Sequence, residues 1–97
     1  MFNRVKYSKV VIVRTLNAGV FVGEIGKVDL KTHTVVLKNF SRIWCYAGAF
    51  TLNAVASNGV DRNMSKITVR SEQTQLFDVV EIINVSDNVD LSPTVTK

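Results

Sequence analysis

Residues 20–28, VFVGEIGKV, decide how this chain is read. Valine, phenylalanine and isoleucine favour a pleated strand, where β-branched and aromatic side chains pack well. Gly23 and Gly26 interrupt that strand three residues apart. A glycine inside a strand marks a bulge, a bend or a close backbone approach, so two of them predict a strand that curls, as in a small barrel.

The neighbouring segments extend this pattern. Residues 8–16 (SKVVIVRTL) read as a first strand with mixed alternation, and Asn17-Ala18-Gly19 as the turn after it. Asp29 to Thr32 reads as the next turn, 33–40 (HTVVLKNF) as a third strand, and 41–46 (SRIWCY) as its extended continuation. After a polar loop at 61–65 (DRNMS), residues 66–70 (KITVR) alternate as a short strand. Residues 76–85 (LFDVVEIINV) place Leu76, Val79, Val80 and Ile83 at helical spacing, but β-branched content and short length favour a strand.

One helix interrupts the strands. Thr51 is placed to cap it, Phe50 and Val55 to form a hydrophobic staple, and Asn58-Gly59 to stop it. At about two turns it needs a sheet to pack on. Phe50, Leu52 and Val55 are expected in the core.

The fold class is therefore mainly β: a small, strongly bent sheet or SH3-like/Sm-like barrel of about five strands, with one short helix inserted after the third or fourth. Ninety-seven residues make one domain. Residues 1–85 read as that β-rich domain and 86–97 (SDNVDLSPTVTK) as a polar tail. The single cysteine excludes an internal disulfide and a multi-cysteine metal site, and nothing reads as a signal peptide or membrane span.

Formal charge is +4, distributed unevenly. Residues 1–42 carry eight Lys/Arg against Glu24 and Asp29, whereas 71–97 carry five acids against Lys97. This dipole either steers an anion to one side, lets subunits meet head to tail, or marks two solvated faces.

The chemistry-bearing residues are sparse. His33, the only histidine, lies in or beside a turn. Cys45, between Trp44 and Tyr46, reads as a buried thiol rather than a nucleophile. Asp78 and Glu81 fall on opposite faces of a strand, so they do not make an acid/base pair. No catalytic, cofactor or metal constellation is expected. The best cluster is Lys38, Arg42, Trp44 and Tyr46, which share one face of an extended strand by parity. Arginine would hold phosphate and an aromatic would stack on a base. Against this, a tryptophan beside a packed helix is more often core than stacking platform, and the two readings of Trp44 stay open.

Two resemblances bear on these readings. Gly19, Gly23, Ile25 and Asp29, closed by Val36 or Leu37, resemble the first motif of Sm-like proteins. The gap between the glycines is one residue short, His33 stands where that motif has an RNA-contacting asparagine, and Val69-Arg70-Ser71 is the nearest approach to the second motif. The resemblance implies a bent five-stranded barrel and, as an alternative function, a single-stranded nucleic-acid-binding module. More of the chain, about residues 10–85, resembles a family of small tailed-bacteriophage proteins. That pattern runs through Leu16 to Glu24, Val36 to Asn39, Arg42-Ile43-Trp44, Gly48-Ala49, Thr51-Leu52 and Gly59. Cys45-Tyr46 replaces the Tyr-Trp pair of that family. The resemblance implies a non-enzymatic accessory binding protein in the cytoplasm of an infected bacterium. By analogy it would act in counter-defence as a homo-oligomer, with a nucleotide signal or host protein as partner.

Overall fold

The computed structural model describes residues 6–96. Six strands and one helix follow in order: β1 (Val11–Thr15), β2 (Val20–Asp29), β3 (Thr34–Cys45), α1 (Leu52–Asn58), β4 (Lys66–Ile67), β5 (Ser71–Leu76) and β6 (Val79–Asn84). All pairings are antiparallel. The path runs β4-β3-β2-β1-β6, and β5 also pairs with β3. The fold is mainly β with its short helix after the third strand.

The sheet bends because its ends are adjacent in the chain. β5 flanks β3 and β6 flanks β1, yet only Phe77 and Asp78 separate them. The strands must therefore curl until β6 approaches the β2–β3 hairpin, where the Val79 N–H donates to the His33 carbonyl at 3.0 Å. Two bulges accommodate this curl. From Ile25 to Lys27, two steps on β2 match one step on β3, placing an extra residue at Gly26. From Val22 to Glu24, two steps on β2 match three on β3, placing an extra residue beside Asn39, whose φ is 47°. A Cβ on Gly23 would lie 2.9 Å from the Lys38 carbonyl oxygen and from Phe40 Cβ, so only glycine allows the strands to meet there.

β1 is buried on both faces, which explains its unbroken VIV run. Ile12 joins Val22, Ile43, Val55, Ala56, Ile67, Val85 and Leu91 on the helix side. Val11 and Val13 join Phe21, Val35, Leu37 and Leu76 on the other. In the first cluster the Ser41 hydroxyl, paired opposite Val22, is buried with no hydrogen-bond partner among the described residues.

The helix is capped as its sequence predicts: the Ala54 N–H donates to Thr51 Oγ1, and Gly59, at φ 84°, donates to the Val55 carbonyl. The expected staple is absent, however. Val55 is fully buried and Leu52 partly so, but Phe50 is 97% exposed. Val55 is already enclosed by core residues from the strands and from the C-terminal segment, so Phe50 has no apolar surface left to cover.

Two further expectations change, while the strand expected within residues 76–85 forms over Val79–Asn84. Residues 66–70 pair over Lys66–Ile67 only, whereas the polar stretch Ser71–Leu76 forms β5 against β3. Residues 79–84 are a strand, with Ile82 and Ile83 facing opposite clusters. The residues described within the expected polar tail pack on the domain. Leu91 is a core residue, and Thr94 donates its N–H to the Ile67 carbonyl while its hydroxyl accepts from the Ile67 N–H at 2.8 Å. Arg62 binds the same segment through the Asp90 and Pro93 carbonyls and the Ser92 hydroxyl. The tail thus supplies partners that β4 would otherwise lack.

Candidate functional site

β3 carries all but one of the residues predicted to form a site, and its bulges redistribute them. Val35 and Leu37 face the same cluster as Phe40, an odd-to-even change that the bulge at Asn39 produces. Lys38, on the side of the strand opposite Leu37, is thereby separated from Arg42. It lies instead along Gly26, whose Cβ position is 3.1 Å from Lys38 Cε. Beyond the bulge, Ser41 and Ile43 are buried while Arg42 and Trp44 are exposed, so the latter two share a side. A second register shift, between Ile43 and Cys45, then carries Tyr46 to the helix-side cluster. The parity that placed four residues on one face fails because two irregularities lie among them.

What remains is a rim of Arg42 and Trp44. The Arg42 guanidinium carbon sits 4.7 Å from the centroid of the Phe21 ring. Phe21 is fully buried, and Phe40 lies beside it with ring centroids 6.1 Å apart. The cation thus rests on an aromatic face, which attracts it electrostatically without using its N–H donors. Thr68 fixes the backbone beneath: its hydroxyl accepts from the Arg42 N–H at 2.8 Å, and its own N–H donates to the Arg42 carbonyl. Trp44 is 74% exposed, which resolves its two readings in favour of the surface. Cys45 is exposed as well, contrary to the buried thiol expected, because the strand end at β4 has no covering layer on that side.

Two cations that the sequence reading left out flank this rim. Lys66 pairs opposite Cys45, and Arg70 donates to the Asn39 carbonyl at 2.8 Å. Their alternation in KITVR placed both on one side of a strand, but only the pairing of β4 with β3 brings them to this rim. Among the described residues the ion pairs are Arg14–Glu81 and Arg62–Asp90, so Arg42 and Lys66 have no carboxylate at salt-bridge distance, whereas Glu24 stands opposite Lys38 across β2 and β3 and Asp90 feels the charge of Arg70.

Concave surface lies elsewhere. One cleft of about 250 Å3 opens between β6 and the β2–β3 hairpin, and another of about 280 Å3 lies among Lys27, Thr32, Gln75 and Phe77. Both are at the far end of β3 from Trp44. His33 borders the first, at φ 56°. Asp29 borders both, accepting from the Thr32 and Lys31 N–H groups, which hold its carboxyl below the usual carboxylate range. Among the described residues no group of three or more His, Cys, Asp or Glu could hold a metal ion, and no helix is long and apolar enough to cross a membrane.

Residues 8–92 match the model of a domain of unknown function, DUF6948, so the chain belongs to that family. No curated protein and no solved structure matches it.

Proposed function

We propose that this member of the DUF6948 family is a non-enzymatic accessory binding protein of a tailed bacteriophage, acting in the cytoplasm of the infected bacterium. In this reading its Arg42–Trp44 rim takes a ligand that joins an aromatic ring to a phosphate, of which a nucleotide is the smallest. One observation carries the reading: an indole 74% exposed stands two residues along β3 from an arginine that, among the described residues, has no carboxylate at salt-bridge distance. A solvent-facing tryptophan gains by stacking on a base, and a guanidinium already seated on Phe21 is pre-oriented to bind phosphate oxygens in pairs. Sequestering a nucleotide signal of host defence needs such recognition and no chemistry on the ligand. Neither of the two clefts includes Arg42 or Trp44, so a small ligand at the rim gains from a second wall. A homo-oligomer would provide it, and β5 and β6, each paired with one strand, have edges to offer a second copy.

A second reading, single-stranded nucleic acid, draws support from Lys66 and Arg70, cations that extend the basic surface beside the rim. Trp44 is the only tryptophan, so its fluorescence separates the two. Titration with mononucleotides, including cyclic ones, should quench it saturably, and Arg42→Ala should weaken that binding. Binding confined to oligonucleotides, falling steeply with salt, favours the second reading. If neither ligand quenches, both nucleotide readings fail and a host protein becomes the partner to seek.

A further inference from the structure

The outer face of β2, β3 and β5 gathers a second set of side chains. The register sets Lys27 opposite Val36 and Val36 opposite Gln75, with Asp29 opposite Thr34 in the next row. Phe77 follows Gln75 by two residues and continues that face past the end of β5. Val28, Val35 and Leu76 alternate with them and turn inward to the core. Lys27, Asp29, Thr34, Gln75 and Phe77, joined by Thr32 from the turn, line the cleft of about 280 Å3. This cleft is distinct from the seam between β6 and the β2–β3 hairpin, which opens where Val28 and Val35 point.

The lining combines one aromatic surface with hydrogen-bonding groups of every kind. Phe77 is 60% exposed and offers its ring to a ligand. The Thr32 and Thr34 hydroxyls lie 2.9 Å apart and bond to each other, which orients both and leaves each able to bond further. Asp29 Oδ1 accepts from the Lys31 and Thr32 N–H groups, so the carboxylate is fixed with accepting capacity to spare. Gln75 adds an amide that donates and accepts, and Lys27 an ammonium that only donates. The Thr32 and Lys31 N–H groups, then the charge of Lys27, hold the Asp29 carboxyl below the usual range. The two opposite charges offset each other, so the cleft favours neither an anion nor a cation.

A neutral ligand with an apolar face and a rim of hydroxyls meets all of these demands. A pyranose ring is such a body. In a glucoside, axial C–H bonds cover both faces, and equatorial hydroxyls, each a donor and an acceptor, project around the edge. The volume takes about one such ring. We propose that this cleft binds a neutral hexopyranose, its C–H face on Phe77 and its hydroxyls shared among Asp29, Thr34, Gln75 and Lys27. The site is independent of the Arg42–Trp44 rim, which lies at the far end of β3.

The test is an NMR titration of the 15N-labelled full chain with methyl β-D-glucopyranoside and its galactose epimer. Tetrahydropyran-2-methanol, a similar ring stripped of its ring hydroxyls, serves as the control. The glucoside should move the amide signals of Lys27, Thr34, Gln75 and Phe77 saturably in the millimolar range, leaving those of Arg42 and Trp44 in place. The stripped ring should bind about tenfold more weakly or not at all. Phe77→Ala should weaken glucoside binding about three- to tenfold, and Phe77→Trp, a larger platform, should keep or tighten it. Asp29→Asn retains an acceptor for the Lys31 and Thr32 N–H groups and should lose about threefold in affinity. Equal binding of the sugars and the stripped ring, undiminished binding by Phe77→Ala, or no saturable shift with either sugar would overturn the proposal. So would cleft signals that move with protein concentration but not with sugar, which would mean that a second copy covers Phe77.

Discussion

Replacing Arg42 with alanine should change how ions reach Trp44 while leaving the fold standing. The two residues are two positions apart on one side of β3, about 7 Å along an extended strand. At that separation in water a unit charge contributes about 0.6 kcal/mol. This enriches iodide near the indole by roughly threefold at low ionic strength. At physiological salt the Debye length is about 8 Å, so screening removes over half of that energy. The assay is Trp44 fluorescence, quenched by dilute iodide and separately by neutral acrylamide. The native chain should show an iodide quenching constant about two- to threefold above that of Arg42→Ala at low salt, converging as salt rises. Acrylamide should quench both equally well, since the indole is 74% exposed. Losing the stacking of Arg42 on Phe21 should cost about 0.5–1 kcal/mol in denaturant unfolding. Equal iodide constants at low salt would refute the shared rim, and poor acrylamide access would refute the exposed indole.

Three other outcomes test the fold that presents this rim. Gly23→Ala inserts a Cβ 2.9 Å from the backbone of β3 and should destabilise by about 1–3 kcal/mol in urea unfolding, more than the same change at an open site. Leu91→Ala should cost about 2–4 kcal/mol if the C-terminal segment belongs to the core, and close to nothing if it is a detached tail. The Asp90 carboxyl is held below the usual range by the Ser92 hydroxyl, then by the Ser92 N–H and the nearby Arg62. A depressed native pKa gives stabilisation that is complete above the ordinary aspartate range near 3.9 and lost as pH falls through the native value. Amide signals of residues 90–94 should therefore hold steady from neutrality to about pH 4 and change below it, and Asp90→Asn should abolish that change.

The chemistry of a local segment is legible in the sequence when its neighbours in space are also its neighbours in the chain. The helix cap at Thr51 and the stop at Gly59 depend on atoms three or four residues away, and both form as read. Gly23 and Gly26 announce a curled strand because a missing side chain has one local meaning. β5 was illegible for the opposite reason: SEQTQL is polar, and it is a strand because β3 offers it an edge.

The candidate site divides along the same line. That Arg42 and Trp44 are both exposed follows from their alternation with the buried Ser41 and Ile43. That Lys38 and Tyr46 leave them follows from bulges, whose existence depends on how β2 and β4 register against β3. The exposure of Trp44 could not be read locally either, since burial depends on which surface arrives opposite.

By itself, then, the sequence determined the β-rich class, the kinked second strand, the capped helix and the residues available for recognition. Tertiary structure decided which of those residues meet, that the C-terminal segment closes the core, and that the seam stays open. Backbone geometry and capping are set by forces acting over a few bonds. Strand pairing, burial and charge proximity are set between segments tens of residues apart, and these exist only once the sheet has curled.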